Sequence, residues 1–118
     1  MQNAAHWSML FAPEDLGGFD PLLDVIRGRS RMMRLCRAHL DDLGQFLDFM
    51  EGAMGRRFVV YAPGCPDRSF DEDWLCALFR ARGRADADSY RFLLRTRLSP
   101  EKTSQAHFLI CRAQLSLE

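Results

Sequence analysis

Apolar residues recur at helical spacing through the first half of the chain: Met32, Cys36, Leu40, Leu43, Leu47, Met50 and Met54 are three or four positions apart throughout. That period places side chains on one face of an α-helix. A second row, Leu35, Phe46, Phe49 and Ala53, widens the face beyond a coiled-coil seam. The pattern predicts one long helix from Ser30 to Met54, buried against other elements and closed by Gly55 as C-terminal cap. Two apolar rows on one helix also predict a homodimer, with one row facing the chain's own core and the other a second copy.

Other elements are announced by caps and by changes of period. Asp20 before Pro21 is a helix start, because the carboxylate accepts orphan backbone N–H groups and proline at the first helical position loses no bond. A short helix over Pro21 to Arg27 follows, interrupted by Gly28, with Ser30 capping the next start. Phe58 to Ala62 is a β-branched and aromatic run closed by Pro63, Gly64 and Pro66, which predicts a central strand. Ser69 and Glu72 form a capping box for a helix whose face is Phe70, Trp74, Ala77, Leu78 and Ala81, with Gly83 as its stop.

Period two then takes over. Tyr90, Phe92, Leu94, Thr96 and Leu98 alternate with Arg91, Leu93, Arg95 and Arg97, and a similar alternation runs from His107 to Leu117. These read as two strands paired in a hairpin across a loop from Ser99 to Gln105. The order helix, helix, strand, helix, strand, strand gives an α+β fold, with helices packed on a small, mainly antiparallel three-stranded sheet. It forms one domain over 1–118, with 1–19 as a peripheral arm.

Composition narrows the class. Of the 118 residues 47% are hydrophobic and 27% charged, which suits a folded globule rather than a disordered chain. No apolar run approaches the roughly 20 residues needed to span a bilayer. The first eleven residues do not read as a secretory signal. Cys36, Cys65, Cys76 and Cys111 show no pairing pattern, so a reducing, cytoplasmic setting is expected. Sixteen cations balance sixteen anions, which removes any global pull toward nucleic acid. All the cations but Lys102 are arginine.

Burial constrains the hairpin's register, so the face opposite the core would carry Arg91, Leu93, Arg95 and Arg97 beside Phe108, Ile110, Arg112 and Gln114. Guanidinium groups mixed with apolar surface suit a protein partner or a single-stranded nucleic acid, the plain alternative being a solvated sheet face. Arg27, Arg29, Arg31, Arg34 and Arg37 form a second basic run, at a helix start where the dipole favours anions instead. Arg31 and Arg34 therefore join the candidate partner-binding residues.

Little points to catalysis or to a metal. Asp71, Glu72 and Asp73 fall in the first turn of a helix, where carboxylates belong. Cys36 and His39 lack a second ligand pair, so no metal or cofactor is expected.

The run Phe58-Val59-Val60-Tyr61-Ala62-Pro63-Gly64-Cys65-Pro66 resembles the strand and active-site loop of glutaredoxins, which place a Cys-Pro pair after a strand and before a helix. The resemblance covers about a dozen residues and implies a thiol redox role for Cys65. It departs from that family at Arg68, where a second cysteine would stand, and in lacking a downstream Thr-Val-Pro segment. The expectation is a small non-enzymatic binding or regulatory protein acting through protein contacts, with a nucleic-acid-binding regulator and a thiol redox protein as the alternatives.

Overall fold

Asp20 and Pro21 open the first helix as their chemistry requires: an Asp20 carboxylate oxygen accepts the Leu23 N–H, and Pro21 takes the first helical position. The computed structural model describes residues 20–117, so the arm expected over 1–19 lies outside the described residues. Five helices follow, α1 Pro21–Leu35, α2 Asp42–Met54, α3 Phe70–Gly83, α4 Ala87–Arg95 and α5 Pro100–Leu117, and no strand is present among the described residues. Over the described residues the fold is all-helical. The expected α+β fold and its three-stranded sheet do not form.

The core is built where the helices cross. α2 packs most extensively on α5, α3 on α4, and α1 touches both α2 and α3. Leu22, Ile26 and Met33 of α1 meet Phe46, Leu47 and Met50 of α2, Leu75, Leu78 and Phe79 of α3, and Ile110 of α5, all fully buried. The Phe46 and Phe79 rings meet edge-on at 5.7 Å. Each such side chain stabilises the fold by roughly 1.5–3 kcal/mol relative to exposure.

The predicted long helix divides. α1 runs through Gly28 to Leu35, Cys36 turns extended, and Asp41 caps α2 by accepting the Gly44 N–H at 2.8 Å. The six-residue break preserves the apolar spacing by coincidence, so periodicity alone reads across it. Met32, Leu35 and Cys36, written as part of one buried stripe, are exposed, whereas Leu43, Leu47 and Met50 are buried as expected. Of the second row, Phe46 is buried and Phe49 and Ala53 are half-buried against the chain's own core, while Leu35 is exposed. Gly55 caps α2 in the left-handed region at φ 75°.

Phe58 to Ala62 is extended, yet carboxylates take the place of a sheet. The Phe58 N–H donates to Glu51 at 2.8 Å, the Val59 N–H to Asp71 at 2.6 Å and the Tyr61 N–H to Glu72 at 2.9 Å. Ser69 Oγ donates to the Val59 carbonyl. Extended backbone needs partners for its N–H groups, and side chains supply them here.

The hairpin is replaced by two helices for an equally local reason. Tyr90, Leu94 and Leu98 are buried at spacings of four, while Phe92, which completes the period-two pattern, is 67% exposed. In α5 the buried residues are Ala106, Ile110 and Ala113, with Phe108 and Leu115 exposed. Asp86 caps α4 through the Ser89 N–H, and Pro100 takes the first position of α5. Helical caps and spacing outweigh the alternation.

Between α3 and α4 the chain turns on Ala85, at φ 59°. The Asp86 N–H donates to the Ala81 carbonyl at 2.9 Å and the Ala85 N–H to the Arg82 carbonyl at 3.1 Å, the paired bonds of a Schellman motif. Gly83, the expected stop, is still helical; the left-handed position two residues on is an alanine.

Candidate functional site

Most arginines on α1, α3 and the intervening loop are matched to carboxylates that hold the fold. Arg27 pairs with Glu72, Arg34 with Glu51, and both Arg56 and Arg97 with Asp71. Asp20 receives Arg68 and Arg80. Burial opposes ionisation of Glu51, Asp71, Glu72 and Asp20, but the guanidinium and backbone N–H donors around each outweigh it and hold all four below the usual carboxylate range. Of the expected acidic trio, Glu72 does complete the capping box with Ser69, while Asp71 anchors two arginines and a loop N–H.

A different set of arginines faces a cleft of about 660 Å³ between α3, α4 and α5. Ala81, Ala85, Ala87 and Leu94 give it apolar floor, Arg82, Arg91 and Arg95 give it charge, and Tyr90, Thr103, Ser104 and His107 add polar groups. Arg91 and Arg95, one helical turn apart on α4, are exposed and have no carboxylate partner among the described residues. Asp86 is the cleft's one acidic side chain, and its carboxylate is engaged by the Ser89 N–H.

At one wall a chain of polar contacts links three helices. Tyr90 Oη lies 2.7 Å from His107 Nδ1, His107 Nε2 lies 3.5 Å from Cys111 Sγ, and Arg82 Nη2 donates to that sulfur at 3.4 Å. Tyr90 and His107 rings meet at 5.6 Å, near-perpendicular. Arg82 Nε is buried with no hydrogen-bond partner. Burial, with the nearby Cys111, raises the Tyr90 phenol above its ordinary value despite Arg82. Cys76, by contrast, is an apolar core thiol that burial pushes up to about 12.

The candidate partner-binding residues scatter over this helical frame. Arg91 and Arg95 line the cleft. Leu93 is half-buried, and its carbonyl accepts the Trp74 indole N–H. Arg97 lies 4.7 Å over the Trp74 ring and reaches Asp71 at 2.6 Å, so it is structural. Ile110 is fully buried. Phe108 and Arg112 share the outer face of α5, with Arg112 paired to Asp42. The basic run resolves into pairs as well: Arg27, Arg29, Arg34 and Arg37 each meet a carboxylate, which leaves Arg31 exposed at the edge of a smaller concavity of about 350 Å³. Arg29, Arg31 and Arg34 sit in the later half of α1, where the dipole favours cations, because the helix begins at Pro21; Arg37 lies just beyond its end.

Cys65 lies in a turn, its N–H donating to the Ala62 carbonyl and its own carbonyl accepting Arg27 Nη1. Among the described residues no strand precedes it, and α3 begins only at Phe70. The framework behind the glutaredoxin resemblance is therefore missing. Sequence reasoning passed over Tyr90, His107 and Cys111 as a group, because they meet only when 100–117 is a helix and 107 and 111 fall one turn apart. Among the described residues no group of three His, Cys, Asp or Glu side chains could hold a metal ion, and no helix is long and apolar enough to cross a membrane. No protein-family model, curated protein or solved structure matches this chain.

Proposed function

We propose that this protein is a small binding protein whose cleft between α3, α4 and α5 receives an acidic segment of a partner protein. The observation that carries the reading is the contrast between arginines spent on carboxylates elsewhere and the unpaired Arg91 and Arg95 beside Arg82 in the cleft. Guanidinium groups match carboxylates in bidentate geometry, and two of them one turn apart, about 5–6 Å between Cβ atoms, suit acidic side chains along a peptide. The alanine floor adds apolar contact for small side chains between them. The four unpaired thiols fit a reducing, cytoplasmic setting.

A nucleic acid is the weaker reading, since Tyr90 is buried and His107 is the one exposed ring among the residues lining the cleft on which a base could stack. The test is binding of a fluorescent Glu-rich peptide by the wild type and by R91S/R95S, with an oligonucleotide as competitor. Weakening by about tenfold or more in the double variant supports the proposal, in the range expected for losing charged anchors. Unchanged peptide affinity, or displacement by the oligonucleotide at lower concentration than by unlabelled peptide, overturns it.

A further inference from the structure

We infer that Cys111 is a reactive thiol that undergoes exchange with carboxylate-bearing disulfides, with His107 as its base, Tyr90 positioning that base, and Arg82 holding the sulfur. The inference rests on the acidic-ligand reading of the cleft for its choice of disulfide, and on separate geometry for the thiol chemistry.

Cys111 is half-buried, within reach of solvent, and stands one helical turn beyond His107. In the tautomer whose Nδ1–H donates to Tyr90 Oη across the 2.7 Å contact, taken here as the active one, Nε2 presents its lone pair to the sulfur at 3.5 Å. A nucleophile, a base and a third group orienting the base is the general arrangement for thiol activation. Arg82 completes it. Arg82 is half-buried, and among the described residues the acceptor placed for its Nη2 is Cys111 Sγ rather than a carboxylate. Its buried, unpartnered Nε shows that protein groups leave its bonding capacity unfilled.

Disulfide exchange fits this site better than acyl transfer. An acyl intermediate needs donors for an oxyanion, and Asp86 already caps the helix N-terminus that borders the cleft. Exchange spreads charge over three sulfurs and needs no such donors. His107 Nε2 takes the thiol proton as Sγ attacks one sulfur of the disulfide. The new S–S bond forms, the old one breaks, and the departing thiolate takes the proton back from His107. Two-electron balance is kept: Cys111 is oxidised and the departing half is reduced to a thiol. Arg91 and Arg95 favour a disulfide bearing carboxylates. Cys111 is not itself among the residues lining the cleft but contacts two that are, Arg82 and His107; among the described residues no cysteine lines the cleft to resolve the product, so exchange stops at the mixed disulfide.

The experiment uses the full chain, with peptide-mapping mass spectrometry to follow each cysteine. Neutral iodoacetamide reads the thiol itself, and the exposed Cys36 is the internal reference. Cys111 should react at least about fivefold faster than Cys36 despite its lower exposure, an advantage that H107Q removes and Y90F reduces. Oxidised glutathione should outpace the cationic disulfide cystamine at Cys111 by about threefold or more, and R91S/R95S should erase that preference. A Cys111 no faster than Cys36, or one indifferent to H107Q, overturns the inference even where the Glu-rich peptide still binds. Fast iodoacetamide labelling with equal rates for the two disulfides overturns the disulfide class, and peptide binding then decides whether the acidic-cleft reading falls with it.

Discussion

Arg27 donates to both oxygens of Glu72, from Nε at 2.7 Å and from Nη2 at 3.2 Å, with the two side chains 4% and 0% exposed. The same guanidinium donates to the carbonyls of Ala62, Cys65 and Asp67, while Glu72 accepts the N–H groups of Tyr61 and Ser69. One buried ion pair thus fastens the loop between α2 and α3 to α1 and α3.

Removing one partner leaves the other charged and buried, so Glu72→Ala or Arg27→Ala should destabilise by about 3–5 kcal/mol. Chemical denaturation measures this. A loss under about 1 kcal/mol, the range of surface pairs, would show that the pair carries little.

Acid should weaken the fold through the same network. Glu51, Asp71, Glu72 and Asp20 all have folded values below their ordinary ones. Their contribution is complete above about pH 5 and is lost as pH falls through the unfolded values near 4 toward the lower folded ones, because the unfolded chain binds protons first. Urea midpoints should fall steadily below about pH 5, and E72Q should flatten that fall. A midpoint constant down to about pH 3 contradicts the assignment.

Ala85 sits in the left-handed region that L-residues enter at a cost. Ala85→Gly should therefore stabilise the protein by about 0.5–1 kcal/mol, unlike most substitutions, by relieving the turn between α3 and α4. Thermal unfolding checks the sign, and a lower midpoint counts against a strained Schellman turn there.

Leu94→Ala should cost about 2–5 kcal/mol and Phe92→Ala less than about 0.5, since the helix buries the first and exposes the second. A strand would make both costly. Arg97→Ser should also cost about 1–3 kcal/mol by leaving Asp71 short of a donor, whereas R91S/R95S should fold like the wild type.

Residues 90–98 show why part of the fold was illegible. Tyr90, Leu94 and Leu98 obey a helical period, but the insertion of Phe92 and Thr96 makes the same stretch obey period two, and only tertiary burial separates the readings. Ser99-Pro100 and Asp86 were the local signals that favoured helices. Where a cap stood alone, as at Asp20, Ser69 and Gly55, the sequence reading and the structure agree. Phe58 to Ala62 has a strand's composition and a strand's extension, yet which groups take its N–H bonds depends on carboxylates up to twelve positions away. The cleft was half legible. Arg91 and Arg95 stood out as surface arginines, whereas His107 and Cys111 meet Tyr90 and Arg82 only through the packing of α3, α4 and α5.

The acidic-cleft claim is tested most directly by a two-dimensional NMR titration of the full chain with a Glu-rich peptide. Shifts should concentrate at Tyr90, Arg91, Arg95 and His107, weaken as salt rises, and vanish in R91S/R95S. Shifts centred on Arg31, or a binding curve that the double variant leaves unchanged, would contradict the account.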